Sequence, residues 1–211
     1  MGTERCIGVM GGTFDPIHLG HLVAAEQVIE GFGLDRVIFV PAGIPPHKQG
    51  RQVTDAEHRY NMVLLATLDH PRFEASRAEI DRSGVSYTAE TILEFREALG
   101  PEARLYFITG ADAIKDVDSW YRVDDLFRAC EFIAVTRPGY DLARLQELEV
   151  RLGPEKFRKI HPYSVSGVAI SSSEIRERLL RGKSVKYLVP DRVLQYIRKY
   201  QLYGSVGHKP Y

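Results

Sequence analysis

The sequence predicts an α/β fold in which a doubly wound parallel sheet carries helices on both faces, a Rossmann-like arrangement. Short apolar runs of strand length alternate with longer segments of helical periodicity along the chain. Strands separated by helices pair in parallel through right-handed crossovers. Ligands bind at the carboxyl ends of the strands in such sheets, so functional residues are expected in the loops that follow the strands.

In the first half of the chain, glycine, proline and capping residues delimit the predicted elements. Strands are predicted at Arg5–Met10, Arg36–Val40 and Arg104–Thr109, and helices at Leu19–Glu30, Thr54–Leu68 and Tyr87–Leu99. Gly31 and Gly33 act as stops after the first helix, and Pro41 ends the second strand. Thr54 is the predicted cap of the second helix, with Glu57 completing a capping box.

The second half continues the alternation. A strand is predicted at Cys130–Thr136, extended segments at Phe157–His161 and Ser166–Ile170, and helices at Leu142–Leu152, Ser171–Leu180 and Pro190–Tyr200. Residues 42–53 and 76–86 are the long polar loops, and residues 204–211 are expected to be frayed. The length of 211 residues fits one domain, residues 1–203, with a C-terminal helical portion from about residue 171.

The charge balance excludes two classes of protein. Lys and Arg total 28, as do Asp and Glu, so the formal net charge is zero. A neutral chain is atypical of proteins that coat nucleic acid or bind membrane surfaces. The charge is unevenly spread, because residues 1–150 hold 24 acidic and 15 basic side chains, and residues 151–211 hold 4 and 13. A small polyphosphate ligand bound where the two parts meet fits this asymmetry.

The cysteines and the N-terminus predict a soluble cytoplasmic protein. Cys6 and Cys130 lie in apolar runs and do not form a disulfide framework of the kind found in secreted domains. The N-terminus lacks a basic region followed by an apolar stretch. No uncharged segment is long enough to span a bilayer.

The loop after the first strand, GGTFDPIHLGH, has the character of a phosphate site. It begins with Gly11 and Gly12, which let backbone N–H groups approach an anion. His18 and His21 share one face at the start of a helix, and Gly20 between them allows close approach to the helix backbone. A metal site would need further ligands nearby. The alternative is that the two histidines only cap and pack.

This loop resembles the signature of the HxGH nucleotidylyltransferase superfamily, and residues 170–176 (ISSSEIR) resemble its second motif. Residues 86–88 (SYT), 110–112 (GAD) and 120–121 (WY) lie between the two motifs. Together with the length, they resemble the bacterial nicotinate-nucleotide adenylyltransferases over nearly the whole chain. The resemblance implies transfer of AMP from ATP to nicotinate mononucleotide, giving deamido-NAD and pyrophosphate, with Mg²⁺ bound to ATP.

The chemistry suits the residues of the two motifs. A phosphate monoester is already an anionic nucleophile, so catalysis requires in-line placement and charge neutralisation. His18, His21 and Arg176 are the expected catalytic residues. The ATP-binding residues that the resemblance implies are Gly11, Gly12, Thr13, Phe14, Gly110, Asp112, Ile170, Ser171 and Ser172. Simpler readings are that the serines only cap a helix, that Arg176 is solvated, and that Asp112 caps a short helix.

The mononucleotide is expected on the other side of the site. Lys48, on the loop after the second strand, is either a phosphate contact or an ordinary loop lysine. Trp120, the only tryptophan, resembles the stacking residue for the pyridine ring, or is a half-buried surface side chain. The resemblance implies that main-chain amides near Thr88 and Tyr121 hold the nicotinate carboxylate, and Arg137 is expected to reach the nucleotide. Side chains therefore say little about acid or amide preference.

Competing readings remain open. Nicotinamide mononucleotide adenylyltransferase is the closest, and phosphopantetheine adenylyltransferases are typically shorter and lack the SYT and Trp features. A nucleotide sensor without turnover is disfavoured by the intact histidines. A dehydrogenase lacks support because the G-x-G-x-x-G fingerprint is missing, and residues 182–184 (GKS) follow a helix, unlike a P-loop. The sequence leaves a homo-oligomer open.

Overall fold

The computed structural model describes residues 5–45, 53–136, 143–167 and 169–204. Within these ranges the strands form one parallel sheet with the order β3-β2-β1-β4-β5-β6. The strands are β1 (Cys6–Gly12), β2 (Arg36–Pro41), β3 (Phe73–Ala75), β4 (Arg104–Gly110), β5 (Glu131–Thr136) and β6 (Ile160–Ser164). The predicted α/β class with a doubly wound parallel sheet is confirmed.

The helices cover both faces of the sheet. They are α1 (Leu19–Phe32), α2 (Ala56–Thr67), α3 (Thr88–Leu99), α4 (Ala111–Ile114), α5 (Val123–Ala129), α6 (Ala143–Leu152), α7 (Pro154–Phe157), α8 (Ser172–Leu180) and α9 (Asp191–Lys199), with 3₁₀ turns at Val117–Ser119 and Leu202–Gly204. Among the described residues, no helix has the length and apolar character needed to cross a membrane.

Alternation along the strands builds two apolar layers. In β1, Met10 belongs to one buried cluster, and Ile7 and Val9 belong to the other. In β2, Phe39 belongs to the cluster of Met10, and Ile38 belongs to the cluster of Ile7 and Val9. This period of two is what a strand buried on both faces requires. Helices α1, α2, α8 and α9 pack in the first layer, and α3 and α5 pack in the second.

The sheet changes direction between β1 and β4. Successive strands run outward from β1 to β3 on one side and from β4 to β6 on the other. The connection after β1 packs on one face through α1, and the connection after β4 packs on the opposite face through Ile114 and Leu126. Such a switch point opens a crevice at the carboxyl ends of the two strands.

Two predicted extended segments are placed differently. The prediction of Phe157–His161 is shifted, because Pro154 starts the short helix α7 that holds Phe157, and the strand is Ile160–Ser164. Pro162 is tolerated there because β6 is an edge strand. The described part of Ser166–Ile170 contains no strand. The sequence reading missed β3, an edge strand of three residues, and the helix α5.

The capping box predicted at Thr54 is wrong. The N-cap of α2 is Asp55, whose carboxylate accepts a hydrogen bond of 2.9 Å from the N–H of Glu57. Thr54 is one residue earlier, and its carbonyl accepts a hydrogen bond from Arg59 instead. A carboxylate is as good a cap as a hydroxyl, so a sequence with both side by side does not show which one begins the helix.

The cysteines are both free thiols. Cys130 is buried, and burial raises its pKa to about 12, so it is an unreactive thiol. Residues 205–211, most of the tail expected to be frayed, lie outside the described residues. The single domain of residues 1–203 stays a prediction.

Candidate active site

A buried arginine holds the loop between β1 and α1. Arg59 of α2 is 1% exposed, and its guanidinium donates hydrogen bonds to three backbone carbonyls: Thr54 at 2.8 Å, Thr13 at 2.9 Å and Gly43 at 3.0 Å. Burial lowers the pKa of Arg59, and the charge of Asp15 opposes that shift. A buried cation is tolerated when it is hydrogen-bonded and paired. Arg59 therefore ties together the loops that follow β1 and β2.

Asp15 of the same loop is the buried counter-charge. Its carboxylate accepts a 2.7 Å hydrogen bond from the hydroxyl of Tyr203 and lies 3.9 Å from the guanidinium of Arg176. Arg176 also donates to the main-chain carbonyl of Asp15 at 2.6 Å. Burial, with the charge of Asp15 second, raises the pKa of the Tyr203 hydroxyl, which stays protonated and donates. The arginine of the second motif is thus attached to the loop of the first.

The two motif histidines interlock at the start of α1. His18 is the N-cap residue, and its N–H donates to Nδ1 of His21 at 3.2 Å. The two rings stack with centroids 3.7 Å apart, and Phe14 meets His21 edge-on at 5.0 Å. A side chain at Gly20 would place Cβ 3.0 Å from Nδ1 of His18. The pair is therefore held by backbone and packing, as the simpler reading proposed, and it also faces the cleft.

The protonation state of His21 follows from these contacts. Since Nδ1 accepts a hydrogen bond, the proton of the neutral ring resides on Nε2. Burial, with the neighbouring His18 second, lowers the pKa of His21 well below its usual 6.5. At neutral pH His21 is an uncharged hydrogen-bond donor.

A cleft of about 450 Å³ lies at the switch point between β1 and β4. Among the predicted site residues it brings together Gly11, His18, His21, Gly110, Ile170, Ser171 and Ser172. Apolar side chains, including Val23, Ile108 and Val165, complete its lining. Residues from the two motifs, distant in sequence, share one cavity as expected from the rule for parallel sheets.

The serines of the second motif begin α8. Ser171 is its N-cap and accepts from the N–H of Glu174 at 3.1 Å, so the capping reading is correct for this residue. The hydroxyl of Ser172 donates to the carbonyl of Pro16 at 2.8 Å. The first N–H groups of a helix have no partner within the helix and favour anions. Because the N-terminus of α8 lines the cleft, it is suited to phosphate oxygens.

Other predicted ATP contacts lie outside the described lining of the cleft. They are Gly12, Thr13, Phe14, Asp112 and Arg176. The ring of Phe14 is buried and packs on His21. The reading that Asp112 caps a short helix is wrong, because Gly110 is the N-cap of α4 and Asp112 is an exposed residue of its first turn, 3.5 Å from Lys115.

The described residues predicted for the mononucleotide are Thr88, Trp120 and Tyr121, and the start of α3 near Thr88 contacts the loop after β2. The hydroxyl of Ser86 accepts hydrogen bonds from the N–H groups of Gly43 at 2.9 Å and Ile44 at 3.2 Å. This contact joins the loop after β2 to the start of α3, where Thr88 is the first helical residue. Glu79 is buried nearby, and burial raises its pKa.

Aromatic rings extend this group. Tyr121 is half exposed and lies 4.6 Å from the ring of Tyr87. Trp120 is half-buried and packs its ring against Phe107 with centroids 6.0 Å apart. Lys48 and Arg137 lie outside the described residues. The described members lie close together through the contact of Tyr121 with Tyr87, and they lie outside the described lining of the cleft.

Three residues that hold the loops of the site, Arg59, Asp15 and Tyr203, were not identified from the sequence. Arg59 lies on a helix whose sequence pattern gives no sign that this side chain is buried. Asp15 belongs to the first motif, but a buried carboxylate there is recognisable only once Tyr203 is placed beside it.

Within the described ranges, no group of three or more His, Cys, Asp or Glu side chains is arranged to hold a metal ion.

Comparison with known proteins shows consistent similarity. Residues 9–178 match the cytidylyltransferase-like family. The chain is 56% identical over 197 residues to a probable nicotinate-nucleotide adenylyltransferase of Moorella thermoacetica, covering 93% of this chain and 91% of that protein. It is 51% identical over 203 residues to one of Thermoanaerobacter sp., covering 96% of each.

A solved structure shares the fold. It is the Plasmodium falciparum nicotinic acid mononucleotide adenylyltransferase complexed with NaAD, with a TM-score of 0.76 and 24% identity. The similarity covers 96% of this chain and 98% of that one.

The ring of His21 should stay neutral as the pH falls through 6.5, because burial and His18 lower its pKa. The measurement is an NMR titration of its Hε1 proton, assigned with His21→Gln. The imidazole of His21 binds a proton near pH 6.5 in the unfolded chain but only at lower pH in the folded chain. The free energy of unfolding is therefore at its full value above pH 6.5, as far as this group is concerned, and decreases as the pH falls below 6.5. A midpoint at or above 6.5 would contradict the assignment.

Proposed function

The chain belongs to the cytidylyltransferase-like family and, within it, to the nicotinate-nucleotide adenylyltransferases, and we propose that it transfers AMP from ATP to nicotinate mononucleotide. The products are deamido-NAD and pyrophosphate, and the reaction is a step of NAD biosynthesis. The observation that carries the proposal is the cleft, in which both histidines of the first motif meet the helix N-terminus of the second.

The reaction proceeds by direct displacement. A phosphate oxygen of the mononucleotide attacks the α-phosphorus of ATP, a new P–O–P linkage forms, and the bond to the β-phosphate breaks. Pyrophosphate leaves with the electron pair of that bond. The attacking oxygen is already anionic, so no covalent intermediate and no general base are needed. The enzyme supplies alignment and hydrogen-bond donors for the developing charge.

The ATP side of the site consists of donors. Neutral His21 presents its Nε2–H, and His18 lies stacked against it. The N-terminus of α8 adds the partial positive charge of its first turn. Arg176 is attached to the carbonyl of Asp15 and supplies a full positive charge beside the loop. These groups are proposed to bind the α- and β-phosphates and to stabilise the departing pyrophosphate.

The proposed ATP-binding residues remain Gly11, Gly12, Thr13, Phe14, Gly110, Asp112, Ile170, Ser171 and Ser172. Enzymes of this kind generally use a divalent metal, and we propose Mg²⁺. The proposed ATP site consists of hydroxyl, imidazole and N–H groups that donate hydrogen bonds to phosphate. Such a site fits an Mg²⁺ ion that arrives bound to the phosphates of ATP, because Mg²⁺ takes few protein ligands and retains water. The metal would offset phosphate charge.

The mononucleotide is proposed to bind beside Trp120, with its pyridine ring stacked on the indole. The N–H groups of Thr88, the first residue of α3, and of Tyr121 are proposed to bind the nicotinate carboxylate. Lys48 and Arg137 are proposed to contact its phosphate and the nucleotide.

The proposed location is the cytoplasm, whose reducing conditions fit the free cysteines.

The proposal is tested with purified protein, Mg-ATP and either nicotinate or nicotinamide mononucleotide, by measuring pyrophosphate release. We expect faster release with the acid. Absence of release with both substrates would contradict the proposed function, and faster release with the amide would identify the amide-preferring enzyme instead.

Replacing either motif histidine should lower turnover strongly. His18→Ala or His21→Ala removes a donor aimed at developing charge, and we expect a loss of at least ~100-fold in kcat. His161→Ala is the matched control, because His161 lies near the amino end of β6, away from the cleft, and pairs with Glu131. Near-normal turnover in the first two variants would show that these rings are only structural.

Removing the indole should affect one substrate more than the other. Trp120→Ala is expected to raise the KM for the mononucleotide by about tenfold, the effect of losing one stacked ring, and to leave the KM for ATP unchanged. Trp120→Phe keeps a ring against Phe107 and should show a smaller rise. Equal KM values for the mononucleotide in all three proteins would remove the stacking role.

A further inference from the structure

Gln27 of α1 makes an unusual set of contacts with one distant residue. Its side-chain amide donates to the carbonyl of Ser166 at 2.7 Å and accepts from the N–H of Ser166 at 3.0 Å. The hydroxyl of Ser166 donates to the same amide oxygen at 3.1 Å. The carbonyl of Gln27 accepts a 3.1 Å hydrogen bond from Tyr163 of β6. The side chain and the backbone carbonyl of Gln27 therefore both bind the chain around the end of β6.

The hydrogen bonds between Gln27 and Ser166 resemble those between residues of neighbouring strands. A residue in a sheet exchanges one N–H and one C=O with its neighbour, and a primary amide offers the same donor and acceptor pair. The N–H of Val165 donates to the carbonyl of Thr136, and the described strands β5 and β6 end at Thr136 and Ser164. The amide of Gln27 continues the pairing for one more residue, and only a side chain with both a donor and an acceptor can do so.

The segment that Gln27 holds is a wall of the cleft. Val165, Ser166 and Gly167 all line it, and Gly167 faces Val23 of α1. Gln27 is six residues, or about 9 Å of helix, beyond His21. His21 is proposed to bind phosphate, so Ser166, held at Gln27, lies farther along α1 from the phosphates. The apolar side chains of Val23 and Val165, which line the cleft, suit a nucleobase there.

We propose that Gln27 is a positioning residue for the base end of the ATP site. Its amide fixes the 165–167 segment against α1, and this sets the width of the slot that receives adenine. This inference rests on the proposed function, because it takes the cleft to be the ATP site. It predicts an effect on ATP and none on the mononucleotide, whose proposed contacts Thr88, Trp120 and Tyr121 lie elsewhere.

The test is Gln27→Glu, which keeps size and the two accepted hydrogen bonds but sets a carboxylate oxygen against the carbonyl of Ser166. Gln195→Glu makes the same change at an exposed position of α9 and is the matched control. Calorimetry measures Mg-ATP binding, steady-state kinetics measure both KM values, and thermal unfolding compares the Tm. We expect about tenfold weaker Mg-ATP binding in Gln27→Glu, an unchanged KM for the mononucleotide, and control values like those of the parent protein.

Unchanged Mg-ATP binding in Gln27→Glu would overturn the proposal, as would equal weakening of both substrates. If this variant does not fold, Gln27→Met, which is close in size and lacks both hydrogen-bonding groups, is measured by the same criteria. A parent protein that binds Mg-ATP but releases no pyrophosphate contradicts the proposed function, while the binding comparison still decides the role of Gln27.

Discussion

The guanidinium of Arg59 is the contact on which the geometry of the site depends. It joins carbonyls from three segments: the loop after β1, the loop after β2 and the start of α2. Each is a part-buried hydrogen bond from a charged donor, a kind that contributes about 1.5–3 kcal/mol. The two loops carry the proposed ATP and mononucleotide sites respectively. A single side chain thus sets the relative position of both proposed substrates.

The first motif combines structural and chemical roles in the same atoms. His21 uses Nδ1 to accept from the backbone of His18, and that bond is what places the remaining proton on Nε2. A side chain at Gly20 would crowd the imidazole of His18. Local folding therefore selects the tautomer with the proton on Nε2.

The sequence was sufficient for features that repeat or that belong to a motif. Strand and helix alternation predicted the sheet, and the two motifs predicted six residues that share the cleft with Gly110. It was insufficient where the outcome depends on distant contacts. The three-residue strand β3 has too little pattern to detect, the choice of Asp55 over Thr54 depends on Arg59, and the pairing of Gln27 with Ser166 joins residues that show no relation along the chain.

The hydrogen bond between Tyr203 and Asp15 joins positions 188 residues apart. During synthesis, Asp15 is made long before Tyr203, so this hydrogen bond cannot form until nearly all of the described chain exists. The environment of the Asp15 carboxylate in the first motif therefore depends on residues that follow the second motif.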